Sequence, residues 1–258
     1  MYLDEILEYH RALAKDDHRD LDALIAEARA IGPIRSFKGA IVETSRDHLA
    51  VIAEIKRRSP SKGDLNVSLN PATIATSYEV GGASCLSVLT DEKYFGGSAQ
   101  DLIVARMASR LPVIRKDFTI SIADVCDTRL MGADCILLIA AALSIATLSE
   151  LHQFSVELGL DVLVEVHSAD ELEHAVGIGA SLIGVNQRNL STFQVDHSRA
   201  QQLANIFPNG VVKVAESGVR NSEDATRLRE FGYDAVLVGE SLITSADISA
   251  SIKGLLVQ

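Results

Sequence analysis

One pattern, repeated eight times, constrains the fold more than anything else in this chain. From residue 48 onward a short apolar run keeps returning, each time followed by a stretch with helical spacing. The runs are LAVIAEI (49–55), SCLSVL (84–89), LPVIRKDF (111–118), DCILLIA (134–140), DVLVEV (161–166), SLIGVN (181–186), VVKVAES (211–217) and DAVLVGE (234–240). The intervening segments include SIATLSELHQFSVELG (144–159) and NSEDATRLREFG (221–232). The second opens on an Asn/Ser cap and closes at a glycine, as helices do. Near-continuous apolar strands alternating with helices specify a parallel sheet covered by helices. Eight such units closing on themselves make a (β/α)8, or TIM, barrel. A doubly wound open sheet is the competing arrangement, but no GxGxxG follows the first strand and eight evenly spaced units suit closure. GASC, GADC, GASL and GYDA recur just before strands and read as helix-ending glycines leading into the sheet.

Length agrees with this reading. The 258 residues would suggest one or two domains by size alone, yet α/β barrels spend about 250 residues on one. We therefore expect one barrel domain over 1–258, with eight β/α units in 48–258 and a helical extension in 1–47. In that extension LDEILEYHRALA reads as one helix and LDALIAEARAIG as a second ending at Gly32–Pro33. It is either a plug for the barrel bottom or a lid over its top.

Composition excludes several classes. A net charge of −11 argues against a nucleic-acid partner, because phosphate backbones recruit Lys and Arg. A small anionic substrate needs only a few local donors and stays open. Three cysteines without a CxxC pair read as reduced, buried thiols. The acidic, amphipathic start is no signal peptide, and no run approaches the ~18 apolar residues of a membrane span. The expectation is a cytoplasmic protein that meets no membrane, a monomer with a weak homodimer as the alternative.

The charges within the runs sit at their late ends. Glu54 and Lys56 end the first, Arg115 and Lys116 the third, Glu165 the fifth, Asn186 the sixth with Arg188 just after, and Glu216 the seventh. In barrels of this kind chemistry takes place at the C-terminal ends of the strands. Facing inward, these groups would converge on one cavity with two lysines and three glutamates. A structural salt-bridge layer is the alternative for any single pair. Five strands charged at the same end argue for a site, since buried charges persist only when paired or put to use.

Two glycine-bearing turns, ESGVRNSED after strand seven and VGESLITSAD after strand eight, complete the pattern. Barrels often bind phosphate with the backbone of these two loops. Gly218 and Gly239 would admit close approach, and Ser59 in SPSKG could add a hydroxyl. None of the seven histidines clusters at metal spacing, so neither a metal nor another cofactor is expected, and ESG is no nucleophile elbow. His167 reads as structural.

The segments AEIKRRSPSKG, LSVLTDEKYFGGS, PVIRKDF, GADCILLIAAAL, LVEVHS, GVNQRNL, VAESGV and LVGESL, in this order, resemble the indole-3-glycerol phosphate synthase family of tryptophan biosynthesis. The likeness runs from about residue 1 to 245, and its first motif, E-x-K-x-x-S-P-S, is highly specific. It implies a cofactor-free ring closure, decarboxylation and dehydration of 1-(2-carboxyphenylamino)-1-deoxyribulose 5-phosphate. By similarity, Lys116 matches a general acid and Glu165 a general base. Glu54 and Lys56 match a pair that assists dehydration and holds the substrate carboxylate. Arg188 matches a second contact to that carboxylate, Ser217 lies among the substrate-binding positions, and Asn186 and Glu216 match groups that position sugar hydroxyls. Ser59, Gly218, Gly239 and Glu240 fall on phosphate-binding positions.

Two residues depart from the family pattern. Gln187 stands where asparagine or a small residue is common and is expected to point outward at little cost. Glu240 stands where serine is common, so only its backbone N–H should serve phosphate. The competing readings are another phosphate-binding barrel, such as a sugar-phosphate isomerase, and a partner subunit without activity. An isomerase would not need Arg188 and Lys56 for a second anionic group.

Overall fold

The structure, a computed structural model, describes residues 2–60, 62–189 and 192–258. Ser61 in SPSKG and Leu190 in GVNQRNL lie outside the described residues. Eight parallel strands form a closed barrel: β1 (Ala50–Ile55), β2 (Cys85–Leu89), β3 (Val113–Lys116), β4 (Cys135–Ile139), β5 (Asp161–Val166), β6 (Leu182–Asn186), β7 (Val212–Glu216) and β8 (Ala235–Val238). Each strand pairs with its neighbours in sequence, and β1 pairs with both β2 and β8, which closes the ring. Each apolar run of the repeat holds one of these strands. The chain adds a short antiparallel ribbon, Arg58–Ser59 against Gly63–Asp64, directly after β1. No helix among the described residues is long and apolar enough to cross a membrane.

Alternation along each strand splits the apolar residues into two cores. Ile52, Ile114, Leu163, Val214 and Leu237 pack inside the barrel. Val51, Val113, Val164, Ala215 and Val236 belong to the larger cluster between strands and helices. Two residues beyond the inward Ile52, Ile114, Leu163 and Val214 come Glu54, Lys116, Glu165 and Glu216. The inward register therefore hands over from apolar to ionisable side chains at one end of the barrel. Arg115 has the opposite parity. Its guanidinium lies outside the ring, bonded to Thr90, Thr128, Asp117 and the Asp124 carbonyl.

The strands' entry ends carry a second repeated device. Gly82, Gly132, Gly179 and Gly232 all take positive φ where their helices end, a conformation other residues rarely adopt. Asp134, fully buried, accepts from the backbone N–H of Val113 and Arg35 and pairs with Arg106 at 2.9 Å. Asp161 accepts from Lys38 N, and Asp234 from Lys213 N.

The N-terminal extension holds three helices rather than two: α1 (Tyr2–Lys15), α2 (Leu21–Ala30) and α3 (Phe37–Thr44). The third escaped the sequence reading because it is only 8 residues long. Ser36 caps it, with Oγ accepting from Gly39 N. Phe37 and Ile41 are fully buried against Ala50, Ile52, Cys85 and Cys135, so α3 plugs the bottom. Helix α1 serves the opposite end. His10 Nε2 lies 3.0 Å from Asp91, after β2, and 3.9 Å from Asp117, after β3. The Tyr2 ring meets Phe193 edge-on with centroids 5.0 Å apart. The extension thus reaches both ends of the barrel, α3 at the bottom and α1 at the top.

Asp134→Ala would leave two backbone donors and a guanidinium without their acceptor. The expected loss is about 3 kcal/mol, as for breaking a buried pair. Chemical denaturation should show it as a lower midpoint at unchanged slope.

Candidate active site

The C-terminal mouth of the barrel encloses a cavity of about 150 Å³. Eleven of the twelve residues singled out from the sequence line it: Glu54, Lys56, Ser59, Lys116, Glu165, Asn186, Arg188, Glu216, Ser217, Gly239 and Glu240. Gly218 lies in an adjoining cleft shared with Lys56, Arg188, Gly239 and Glu240. The charges at the end of β1 are thereby explained: its last inward positions open onto a polar chamber.

Lys116 is the hub. Its Nζ lies 3.0 Å from Glu165 Oε2 and 3.5 Å from Glu216 Oε2. Asn186 Nδ2 donates to Glu165 Oε1 at 3.0 Å, and its own Oδ1 accepts from Arg188 N at 2.9 Å. Across the mouth Lys56 Nζ meets Glu54 Oε1 at 2.5 Å. The buried hydroxyl of Tyr78 donates to the Glu54 carbonyl at 2.9 Å and fixes the strand end. Glu54, Glu165 and Glu216 are 5%, 1% and 2% exposed, so water hardly screens these charges.

Burial alone would discharge Lys116, but the carboxylates of Glu165, Glu216 and Glu54 outweigh it and hold its ammonium well above the usual lysine range. Burial likewise pushes Glu165 up, yet Lys116, His167 and Asn186 reverse the shift and keep it ionised. Glu216 goes the other way. Burial raises it, the charge of Glu165 adds to the rise, and Lys116 offsets only part. Its Oε1 is buried with no hydrogen-bond partner. Two buried carboxylates beside one ammonium share a single full compensation, and Glu165 takes it by contact.

The loops supply polar groups of a different kind. Ser59 Oγ is buried without a partner beside the cavity. Ser217 stands at φ 66°, a strained left-handed conformation for a residue with a Cβ. Gln187 explains how it is held. Its Nε2 donates to the Ser217 carbonyl at 2.7 Å, and the residue is 1% exposed. The expectation that Gln187 points outward at little cost is thus corrected, because it is a buried clamp on the Ser217 loop. Glu240 turns its carboxylate toward Lys62, 3.6 Å away, and both side chains are substantially exposed.

Sequence reasoning missed the apolar half of the chamber. Phe95, Phe118, Phe193, Leu89 and Ile139 line it. The signal was present, since KYF and KDF each follow a strand. A phenylalanine in a loop, however, has no period to mark it. His10 was missed as well. Asp117 bonds Arg115, Thr90 and Phe118 N, and Asp91 caps Tyr94 N and Phe95 N. That cluster therefore serves as a latch for α1.

Comparison with known proteins identifies the family. The family model of indole-3-glycerol phosphate synthase matches residues 3–255. The chain belongs to the indole-3-glycerol phosphate synthase family. The Azospirillum brasilense indole-3-glycerol phosphate synthase is 43% identical over 257 residues, covering 98% of each chain. That of Leifsonia xyli subsp. xyli is 47% identical over 231 residues, covering 90% of this chain and 88% of its own. Among solved structures, a thiamine phosphate pyrophosphorylase from Pyrococcus furiosus superposes with a TM-score of 0.59 at 16% identity, over 83% of this chain and 95% of that one. That likeness is one of fold alone.

A carboxyl raised by folding contributes stability below its unfolded value near 4.3 and loses it as pH rises through the folded value. Glu216→Gln cannot ionise. Its thermal midpoint should therefore gain on that of the wild type between about pH 5 and pH 9, measured by calorimetry. A pH-independent difference would contradict the elevated Glu216.

Proposed function

We propose that this chamber closes an indole ring, converting 1-(2-carboxyphenylamino)-1-deoxyribulose 5-phosphate to indole-3-glycerol phosphate, carbon dioxide and water. The step belongs to tryptophan biosynthesis and needs no cofactor. The observation that carries the residue roles is a charged lysine held between two buried glutamates at the mouth of a barrel from this family.

The chemistry asks for this arrangement. The ring carbon bearing the carboxylate attacks the ribulose carbonyl, whose oxygen must receive a proton. Lys116, kept charged by its carboxylates, supplies it. Carbon dioxide then leaves and returns its bonding pair to the ring. Loss of the new hydroxyl as water needs an acid and, at the neighbouring CH2 carbon, a base. Glu165, kept ionised, takes that proton, and the Lys56–Glu54 pair assists departure of water. Lys56 and Arg188 face the substrate carboxylate, a demand that an isomerase site would lack. Asn186 and Glu216 position the sugar hydroxyls, and Ser217 meets the substrate from its constrained loop. Ser59 with the backbone at Gly218, Gly239 and Glu240 receives the phosphate. Phe95, Phe118 and Phe193 offer flat apolar walls for the aryl ring.

The same reading takes residues 1–258 as one working unit, since α1 and α3 grip the two ends of one barrel. The free, buried thiols of Cys85, Cys126 and Cys135 support a reducing, cytoplasmic setting.

Purified chain should generate the fluorescent indole product from this substrate, and Lys116→Ala should lower turnover by about 10²–10⁴-fold. No product from the wild-type chain would overturn the reading. A Cβ at Gly239 would sit 2.3 Å from Glu54 Oε1. Gly239→Ala should therefore cost up to about 10²-fold in kcat by displacing Glu54, with an almost unchanged melting temperature.

A further inference from the structure

We propose that His167 is a positioning residue for Glu165, anchored by Glu171. The stretch VHSADEL carries a helix-start signature, with Ser168 and Glu171 spaced as a capping box. Ser168 Oγ accepts from Glu171 N at 3.2 Å, as that motif requires. The reciprocal half is displaced by one residue. Glu171 Oε2 accepts from His167 N at 2.7 Å, and the same oxygen lies 3.3 Å from His167 Nδ1. Backbone and ring are thus tied to one carboxylate at the head of the helix Ala169–Gly177.

The other ring nitrogen faces the site. Nε2 lies 3.5 Å from Glu165 Oε1 and is buried with no hydrogen-bond partner of its own. It does not line the cavity, so it acts through Glu165 rather than on a substrate. A ring between two carboxylates meets both favourably only when both nitrogens carry hydrogen, because neutral imidazole has one donor. The charged groups facing Glu165 are Lys116 from β3, Glu216 from β7 and His167 from its own strand end, with the amide of Asn186 from β6. Those facing His167 are Glu165 and Glu171. In this row Glu171 orients the ring, and the ring's positive charge favours ionised Glu165, the form in which it can accept a proton. Lys116 is then not the sole counter-charge and can give up its proton without stranding a buried carboxylate.

The inference rests on Glu165 being the proton acceptor proposed above. The test is the pH dependence of kcat/KM for the full chain as wild type, His167→Gln and Glu171→Gln. The acid limb should move to higher pH by about one unit or more in His167→Gln, because removing a nearby cation raises a carboxyl. Glu171→Gln should move it in the same direction by less. On that limb kcat/KM at a given pH should fall by about tenfold in His167→Gln and recover toward neutral pH, where Glu165 is ionised in both proteins. A merely structural histidine would lower the melting temperature and leave the limb in place, and that result overturns the proposal. If His167→Gln does not fold, Glu171→Gln, altered at a partly exposed carboxylate, decides alone. An inactive wild type would defeat the reading of the whole site, whereas an active one with an unmoved limb defeats only the role of His167.

Discussion

The structure depends on strand alternation inside a closed ring. Once β1 pairs with both β2 and β8, every second residue of every strand must point at a common axis. Apolar side chains fill that axis from the bottom through Ile52, Ile114, Leu163 and Val214. One inward step later the same register delivers Glu54, Lys116, Glu165 and Glu216 to a chamber only about 150 Å³ in volume. The core and the site are successive layers of one stack. A change of parity at a strand end would exchange a chamber group for a packing group, as Arg115 illustrates beside Lys116.

Charge balance is the second constraint. Lys116 lies beside two buried carboxylates, Glu165 and Glu216, and the low-dielectric chamber penalises that local excess of negative charge. Burial and the charge of Glu165 push Glu216 up, toward the neutral form that relieves it. In the proposed reaction Lys56 and Arg188 meet one anionic end of the substrate, and a hydroxyl and loop backbone the other. Strain is placed beside it. Ser217 at φ 66° is held there by the buried amide of Gln187.

The extension binds both ends of this stack. Phe37 and Ile41 of α3 close the bottom, where the inner layer would otherwise meet water. At the top, His10 of α1 engages Asp91 and Asp117, two residues that also shape the loops carrying Phe95 and Phe118. The helices that precede the barrel in sequence are therefore tied to the walls of the chamber.

Much of this was legible in the residues. The eightfold recurrence determined the barrel, because parallel strands buried on both faces need long apolar runs and crossover helices between them. The late position of Glu54, Lys116, Glu165 and Glu216 in their runs determined the end at which the site lies. What the sequence could not reveal was who touches whom across the ring. That Lys116 bridges Glu165 and Glu216, that Glu216 is pushed up while Glu165 is held down, that Gln187 is a buried clamp and that Asp134 ties Arg35 to β3 all depend on partners 21 to 100 residues apart. Periodicity reports the direction of a side chain from its own strand or helix. Contacts between strands, and the desolvation that decides which carboxyl ionises, exist only once the ring has closed.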